Sequence, residues 1–492
     1  MKKNIISLFS LLTLIYFVTI SCGDNFVDRV APYSIDSENY FNSEEDYNQA
    51  LIGAYDLLHS SYINVLAGEI ASDNTFSGGE SATDVIGIQQ IDEMNHSSIN
   101  VELKHLWDWM SAGVQRTNYI LEFKDKTDFP NKNQVIAETR FLRAYYRFEL
   151  VKWFGGIPLK GDERFKVGDE TSIPRSAVQD VYANIESDLL FAVANLSPTA
   201  AQSGRATKGA AQALLGKVYL YQNKFVNASN VLESLINSGS YSLVPNYNTI
   251  FEEAGENNIE SVFEVQYSDV EGADFGCLQC SEGNVAVGFS GVRSYAGPFF
   301  TSGFSFNVPT QEVVNAFEVG DNRKNVAILD IQSWATANNA SFGIGYKHTG
   351  FFNRKYLPRT RSALAAGDLN LTNPNNYRAI RYADVLLMAA EAFNRGGIND
   401  AKARLYLNQV RQRAFGDNNH NISASGPALT DFIYAERRVE LVGEGHRFFD
   451  LVRTGKAAQE ITNFTAGKNE LFPVPIEEIQ FSNGNWQQNT GY

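Results

Sequence analysis

The sequence predicts a mainly α protein, a helical-repeat scaffold interrupted by long irregular loops and a few short strands. Three observations predict it. Apolar and aromatic residues recur at helical spacing through most of 40–250 and again through 377–455. Two stretches within these regions read as helix pairs with small and aromatic residues at matching offsets. Between them, 259–356 loses that period and becomes rich in Gly and aromatic residues.

Glu44 to Ser60 carries Tyr47, Leu51, Ala54, Tyr55 and Leu58 on one helical face. Gly68 to Ser98 is polar and Gly-rich and reads as a long loop. Leu103 to Lys124 presents Leu106, Trp107, Met110, Val114, Tyr119 and Ile120. Asn133 to Phe154 presents Phe141, Leu142, Tyr145, Phe148, Val151 and Trp153, and Gly155-Gly156 with Pro158 ends it. Trp107 and Trp153 occupy helical core positions. Ser176 to Leu196 lies between Pro174 and Pro198.

Thr207 to Ser238 reads as a helix pair with Gly216, Tyr219 and Ala228 at tetratricopeptide-like offsets. Small residues let two antiparallel helices approach, and an aromatic fills the space beside them. Tyr382 to Gln412 repeats the pattern with Ala389, Ala392 and Ala401, and Gly396-Gly397 in the turn. In the insertion, Ser261 to Tyr267 reads as a strand and Thr310 to Phe317 as a short helix. Leu471 to Tyr492, with Pro473 and Pro475, reads as extended chain packed on the body.

The first residues are a different kind of segment. Met1-Lys2-Lys3 is basic, Ile5 to Ile20 is apolar apart from four hydroxyl residues, and Cys22 closes the run. This is the pattern of a secretory signal, 1–21, and is short of the roughly 20 apolar residues of a spanning helix. A cysteine at the cleavage point marks lipidation of the new N-terminus at Cys22. Each buried CH₂ is worth about 0.8 kcal/mol, so stable anchoring takes more than one acyl chain. The mature chain, 22–492, is then one domain outside the cytoplasm.

Of 492 residues, 44% are hydrophobic, ample for a large core, and the net charge is -15. Removing Lys2 and Lys3 with the leader takes the charge to about -17. Such a surface repels nucleic acid, and no basic stripe counters it. Cys277 and Cys280 are the other two cysteines, and one Cys-x-x-Cys without a further His or Cys cluster is a poor metal site. A local disulfide or two thiols both fit. No Gly-rich phosphate loop and no HExxH occurs, so the sequence implies no cofactor and no metal.

Six blocks, in order, then resemble one family. They are the opening GDNFVDRVAP, RFLRAYYRFELVKWFGGIPL (140–159), FNVPTQEVVNAFE (306–318), YRAIRYADVLLMAAEAFN (377–394), AERRVELVGEGHRFFDLVR (435–453) and the ending LFPVPIEEI with QQNTGY. The chain resembles the SusD/RagB family of nutrient-binding outer-membrane lipoproteins over nearly its whole length. The resemblance implies a tetratricopeptide-like scaffold and a lipid-anchored, surface-exposed protein of the outer membrane. It also implies a non-enzymatic carrier that captures a glycan and hands it to a TonB-dependent (SusC-like) transporter. Thr19 stands where the family's lipobox usually has Leu, and Phe304 where many relatives carry Trp.

Candidate residues follow from chemistry. Glu436, Glu440 and Glu444 lie four apart on an expected helix. A glycosidase needs two carboxylates about 5–10 Å apart, but with Arg437, Arg438 and Arg447 beside them an ion-pair network is the simpler reading. Arg140, Arg143 and Arg147 read the same way. Sugar binding instead asks for exposed rings against the C–H face of a pyranose and polar groups for its hydroxyls. Burying about 50–100 Å² per stack yields about 1–2.5 kcal/mol, so two or three stacks give micromolar to millimolar binding. Three loop sets qualify: Asp73, Asn74 and Phe76; Tyr295, Phe299, Phe300 and Phe304; and Trp334 with Tyr346. The alternative is a transporter lid or peptide-binding helical repeat with no sugar site.

Overall fold

The computed structural model describes residues 40–270, 275, 277, 278, 281–360 and 366–492. Cys22, the leader, the opening GDNFVDRVAP and Cys280 lie outside them. Cys277 is disulfide-bonded, and its partner also lies outside them.

Helices α1 (Glu44–Asp56), α2 (Tyr62–Ile70), α3 (Val101–Glu122), α4 (Lys132–Phe154), α5 (Val178–Asn195), α6 (Lys208–Tyr221) and α7 (Phe225–Asn237) make the first half. Their starts carry local signals. The Ser43 hydroxyl and the Asp46 carboxylate exchange bonds with each other's backbone N–H at α1, and Asn100 accepts from the Glu102 and Leu103 N–H groups at α3. α4 stops at Gly155, whose φ of +73° a side chain would resist. From α3 onward each helix packs on the next, α3 on α4, α4 on α5, α5 on α6 and α6 on α7, as in a solenoid, while α1 packs across α3 and α4. Gly216 makes the last contact possible, because a Cβ there would meet Leu232 Cδ2 at 2.4 Å. Trp107 and Trp153 are buried in this core.

Helix α8 (Ile331–Asn338) lies in the insertion, and the second helical block contains α9 (Tyr382–Arg395), α10 (Asp400–Phe415) and α11 (Gly426–Glu440). α9 packs on α7, α10 and α11 and so joins the two halves of the row. Ala389 and Ala392 are fully buried, as the repeat reading requires. Ala401 is exposed and Ala403 faces α9 instead, so the register of the second pair is shifted from the expected one.

Among the described residues, three two-stranded antiparallel ladders tie the insertion down. β1 (Thr75–Gly78) pairs with β3 (Phe306–Pro309), β2 (Ser261–Val265) with β6 (Tyr377–Arg381), and β4 (Ile328–Asp330) with β5 (Phe351–Asn353). The stretch 68–98 is therefore not one long loop, since it holds the end of α2, β1 and a short helix, Ile86–Asp92. Its strand takes its hydrogen bonds from residues far along the chain, which no local pattern announces. The C-terminal segment buries Phe472 and Val474 and also forms a short helix, Ile476–Phe481, where extended chain was expected.

The insertion has its own apolar core of Val292, Tyr295, Phe300, Leu329, Ile331, Phe352 and Leu357. A separate cluster, including Val313, Phe317, Ile328, Val439 and Val442, seats it against the end of α11. Among the described residues no helix is long and apolar enough to cross a membrane.

Candidate functional site

Segment 341–346 brings the candidate loops together. Ala296 and Ser341 each donate a backbone N–H to the other's carbonyl at 2.9 Å, the Gly343 N–H donates to Arg293 O at 2.7 Å, and the Tyr346 N–H donates to Gly79 O at 2.8 Å. The rim of the insertion is thus joined to the end of β1.

At one end of this rim stand Phe299 and Trp334. Trp334 rides on α8, whose start is capped by Asp330 accepting from the Ser333 N–H at 2.9 Å. Its indole Nε1–H donates to Tyr295 Oη at 3.0 Å, and that hydroxyl donates to Pro298 O at 2.8 Å. The indole is thereby held in one orientation. Phe299 is 63% exposed and has φ +71°, a left-handed conformation that costs a non-Gly residue roughly 1–2 kcal/mol. Backbone bonds on both sides hold the turn: the Thr360 N–H donates to Phe299 O, and the Thr301 N–H to Pro358 O, at 2.8 and 2.9 Å. The Phe299 and Trp334 rings meet edge to face, 5.7 Å apart and at 70°. Gln332 and Asn339 lie exposed on and just after α8, within the same loop system.

At the other end, Phe76 and Tyr346 flank one cation. Lys347 Nζ is 5.9 and 5.5 Å from their ring centroids. It also bonds Asp92 Oδ2 at 2.8 Å and lies 3.4 Å from Glu93 Oε1. Burial pulls the Lys347 pKa down, but the Asp92 hydrogen bond and charge, with Glu93, outweigh it and raise it. The lysine is neutralised locally, so this face presents rings with little net charge. Position 347 was not singled out from the sequence, because its carboxylate partners lie in another segment.

The remaining candidates divide by burial. Tyr295 and Phe300 are core residues at 7% and 5% exposure, and they support the platform from below. Phe304 is half-buried, edge-on to Phe275 and Phe289. Asn74 is fully buried; its amide donates to Glu69 and accepts from Arg438. Asp73 receives both Nε and Nη2 of Arg447, at 2.7 and 2.9 Å, and lies 2.9 Å from Arg438 Nη2. Its oxygens bind guanidinium, not sugar hydroxyls. Asp73 and Asn74 therefore serve the scaffold, contrary to the sequence reading, because Arg438 and Arg447 arrive from the far end of the chain.

The carboxylate triplet is sealed. Glu436 and Glu440 end α11, whereas Glu444 lies beyond it in a turn, and all three are buried. Their cations come largely from elsewhere: Arg323 and Arg411 on Glu436, Arg323, Arg381 and Arg413 on Glu440, and Lys355 and Arg381 on Glu444. Burial would raise the Glu440 and Glu444 pKa values, but the guanidinium groups win and hold both below the carboxylate range. Arg143 similarly grips Asp188 with two bonds of 2.7 Å. Glu440 and Glu444 hold no proton to give and, with Glu436, are sealed from solvent, so the triplet is unsuited to acid/base work.

A cavity of about 360 Å³ lies elsewhere, between α3 and the C-terminal segment, lined by Trp107, Val114, Phe165, Phe481 and Trp486. Of its polar lining, the Gln115 amide is already committed, because it bonds both the N–H and the carbonyl of Phe165.

Two family models match. "SusD family" covers residues 260–492, and "Starch-binding associating with outer membrane" covers 25–220. "SusD-like protein P2" of Formosa agariphila is 26% identical across the whole of both chains. A solved "Laminarin binding SusD-like protein" is 33% identical with a TM-score of 0.84, over 92% of this chain and 100% of that one. "Surface glycan-binding protein A from Bacteroides thetaiotaomicron in complex with laminarihexaose" is 27% identical with a TM-score of 0.79, over 91% and 99%.

Proposed function

This chain belongs to the SusD family, and from that premise we propose that it is a non-enzymatic glycan-binding lipoprotein of the outer-membrane surface. Residues 22–492 form its mature domain, anchored through acyl chains on Cys22, and it passes its ligand to a TonB-dependent transporter. The observation that carries the reading is the Phe299–Trp334 pair: one ring open to solvent, the other fixed by Tyr295, both at the rim of the insertion. Phe76 and Tyr346 extend the apolar surface toward β1, and Phe304 contributes from its half-buried position. The pairing of Lys347 with Asp92 and Glu93 suits a neutral oligosaccharide at the Phe76–Tyr346 end, and the names of two relatives make a laminarin-type glucan the first ligand to test.

Calorimetry of the mature protein against a panel of neutral oligosaccharides should show one class binding in the micromolar to millimolar range. Phe299→Ala or Trp334→Ala should each weaken it by about 5- to 70-fold, the equivalent of one lost stack of about 1–2.5 kcal/mol. Silence across the whole panel would remove the glycan from the proposal. Anchoring has its own check: Cys22→Ser should abolish acyl labelling and release the protein from the membrane fraction.

A further inference from the structure

We propose that Asp56, His59 and Glu282 form a binding site for a divalent transition-metal ion of the zinc type. The ion would clasp the start of the insertion to the helical scaffold. Asp56 is the last residue of α1 and His59 lies in the 3₁₀ turn that follows, Leu57–Ser61. Glu282 comes from the segment leading into the short helix Val285–Ser290. One donor atom from each lies within 4.8 Å of the other two.

The geometry suits a small ion. With metal–ligand bonds of about 2.0–2.2 Å, neighbouring donors in a tetrahedral site stand roughly 3.3–3.6 Å apart. His59 Nδ1 and Glu282 Oε2 are 3.6 Å apart, and one carboxylate oxygen of Asp56 lies within 4.8 Å of both. Nothing else claims the two nearer donors, because among the described residues neither the His59 imidazole nor the Glu282 carboxylate makes a hydrogen bond. The imidazole is nevertheless held. Its ring lies against Tyr267 at 5.2 Å, and the His59 carbonyl accepts the Tyr267 hydroxyl at 2.7 Å. Arg116 bonds only Oδ2 of Asp56, which leaves Oδ1 for a ligand bond. A hydrogen-bonded carboxylate is the usual form of such a ligand.

The surroundings supply room, and the Arg205 guanidinium on the lining is already paired with Glu138. The three residues line a cavity of about 270 Å³ together with Gln202, Ser203 and Gln266, wide enough for an ion and its waters. Glu264 belongs to the same wall and is 3% exposed, with an Oε1 that has no hydrogen-bond partner. Its nearest cation there, Arg378 Nε, is 3.8 Å away. One imidazole nitrogen with carboxylate oxygens favours zinc, nickel or copper over calcium, which takes six to eight oxygens. Glu282 is anchored in turn, because the Ser268 N–H donates to its carbonyl at 2.8 Å. An ion here would therefore link α1 to the end of the β2 segment.

The test uses mature protein stripped with EDTA and titrated with ZnCl2 and, separately, CaCl2, by calorimetry and thermal unfolding. One zinc ion per chain should bind more tightly than calcium, and Tm should rise with zinc and return with EDTA. His59→Gln and Glu282→Gln should each weaken binding at least tenfold and lose the Tm rise. Both variants keep the backbone bonds described above, so their metal-free Tm should match the parent, and Glu282→Gln carries the test if His59→Gln misfolds. Absence of zinc binding, calcium binding as tight as zinc, or unchanged zinc affinity in Glu282→Gln would each overturn the proposal. None of these readouts depends on glycan binding.

Discussion

Glu440→Gln should lower the free energy of unfolding by about 3–5 kcal/mol, the cost of breaking a buried ion network by removing one member. Glu440 is fully buried. Its Oε1 accepts from Arg381 at 2.9 Å and Arg413 at 2.7 Å, and its Oε2 accepts from Arg323 at 2.9 Å. An amide of the same shape can accept at most two of these bonds through its one oxygen, turns an NH2 donor toward the remaining guanidinium, and leaves the three guanidinium groups short of one negative charge. The other acids nearby are already shared: Glu436 between Arg323 and Arg411, Glu444 between Arg381 and Lys355, and Glu260 between Arg381 and Arg413. None has a free oxygen to compensate. The expected loss is a large part of a total that is typically about 5–15 kcal/mol.

Urea unfolding reads this directly, as a lower midpoint at an unchanged slope. Lys402→Ala, which removes a solvent-facing partner of Glu233, should cost only about 0–1 kcal/mol. If both variants fall within that smaller range, the network does not support the fold. The location matters for binding as well. Arg323 belongs to the insertion and Glu440 to α11, so this charge cluster helps to fix the aromatic rim against the scaffold. Hydrogen exchange over 323–330 should accelerate in Glu440→Gln before it does over α4.

The same geometry shows what was legible beforehand. The long helices were readable because each buries a stripe at a constant period, and that stripe is local in sequence. Phe299 and Phe300 were not separable, being adjacent and identical in type. Their fates differ because Phe300 bridges Arg359 and turns into the second core, while Phe299 takes a left-handed φ and faces out. Asp73 and Asn74 resembled sugar-binding polar groups because their partners, Arg438 and Arg447, are more than 360 residues away. The Asp56–His59–Glu282 group was invisible for the same reason, since metal-site reading relies on short spacings. Local period and capping made the scaffold readable in advance, whereas charge partnership, which needs the folded chain, set Asp73 and Asn74 among the structural residues.

His446→Gln should remove an acid sensitivity from the fold that begins below about pH 6.5. His446 is buried, with Nδ1 3.2 Å from Lys217 Nζ. Burial lowers its pKa to about 3, Lys217 and Arg437 push the same way, and Asp384 and Glu444 oppose them. In the folded protein the ring stays neutral where the unfolded chain takes up a proton. Its contribution is therefore complete above the ordinary value of 6.5 and is lost as pH falls toward about 3. The limiting slope is about 1.4 kcal/mol per pH unit. Other buried groups bend the raw profile the opposite way. Burial pushes Glu256 up to about 7, so its contribution is present at low pH and is lost as pH rises through that value. Glu69 is raised by burial too. The diagnostic quantity is thus the difference between parent and His446→Gln, from urea unfolding at pH 7, 6, 5 and 4.5. The parent should lose ground steadily across that range. His96, lowered to about 4 by burial beside Phe472 and bonded to Tyr492, should show the same sign with a smaller total. The depressed carboxylates Asp384, Glu440, Glu444 and Asp450 begin to lose their contributions as pH falls into the ordinary carboxylate range, at the lower end of this window, and because parent and variant share them that loss cancels in the difference. A difference that stays flat from pH 6.5 to 4.5 would mean that His446 accepts a proton as readily folded as unfolded, and is not the neutral, sealed group its surroundings require.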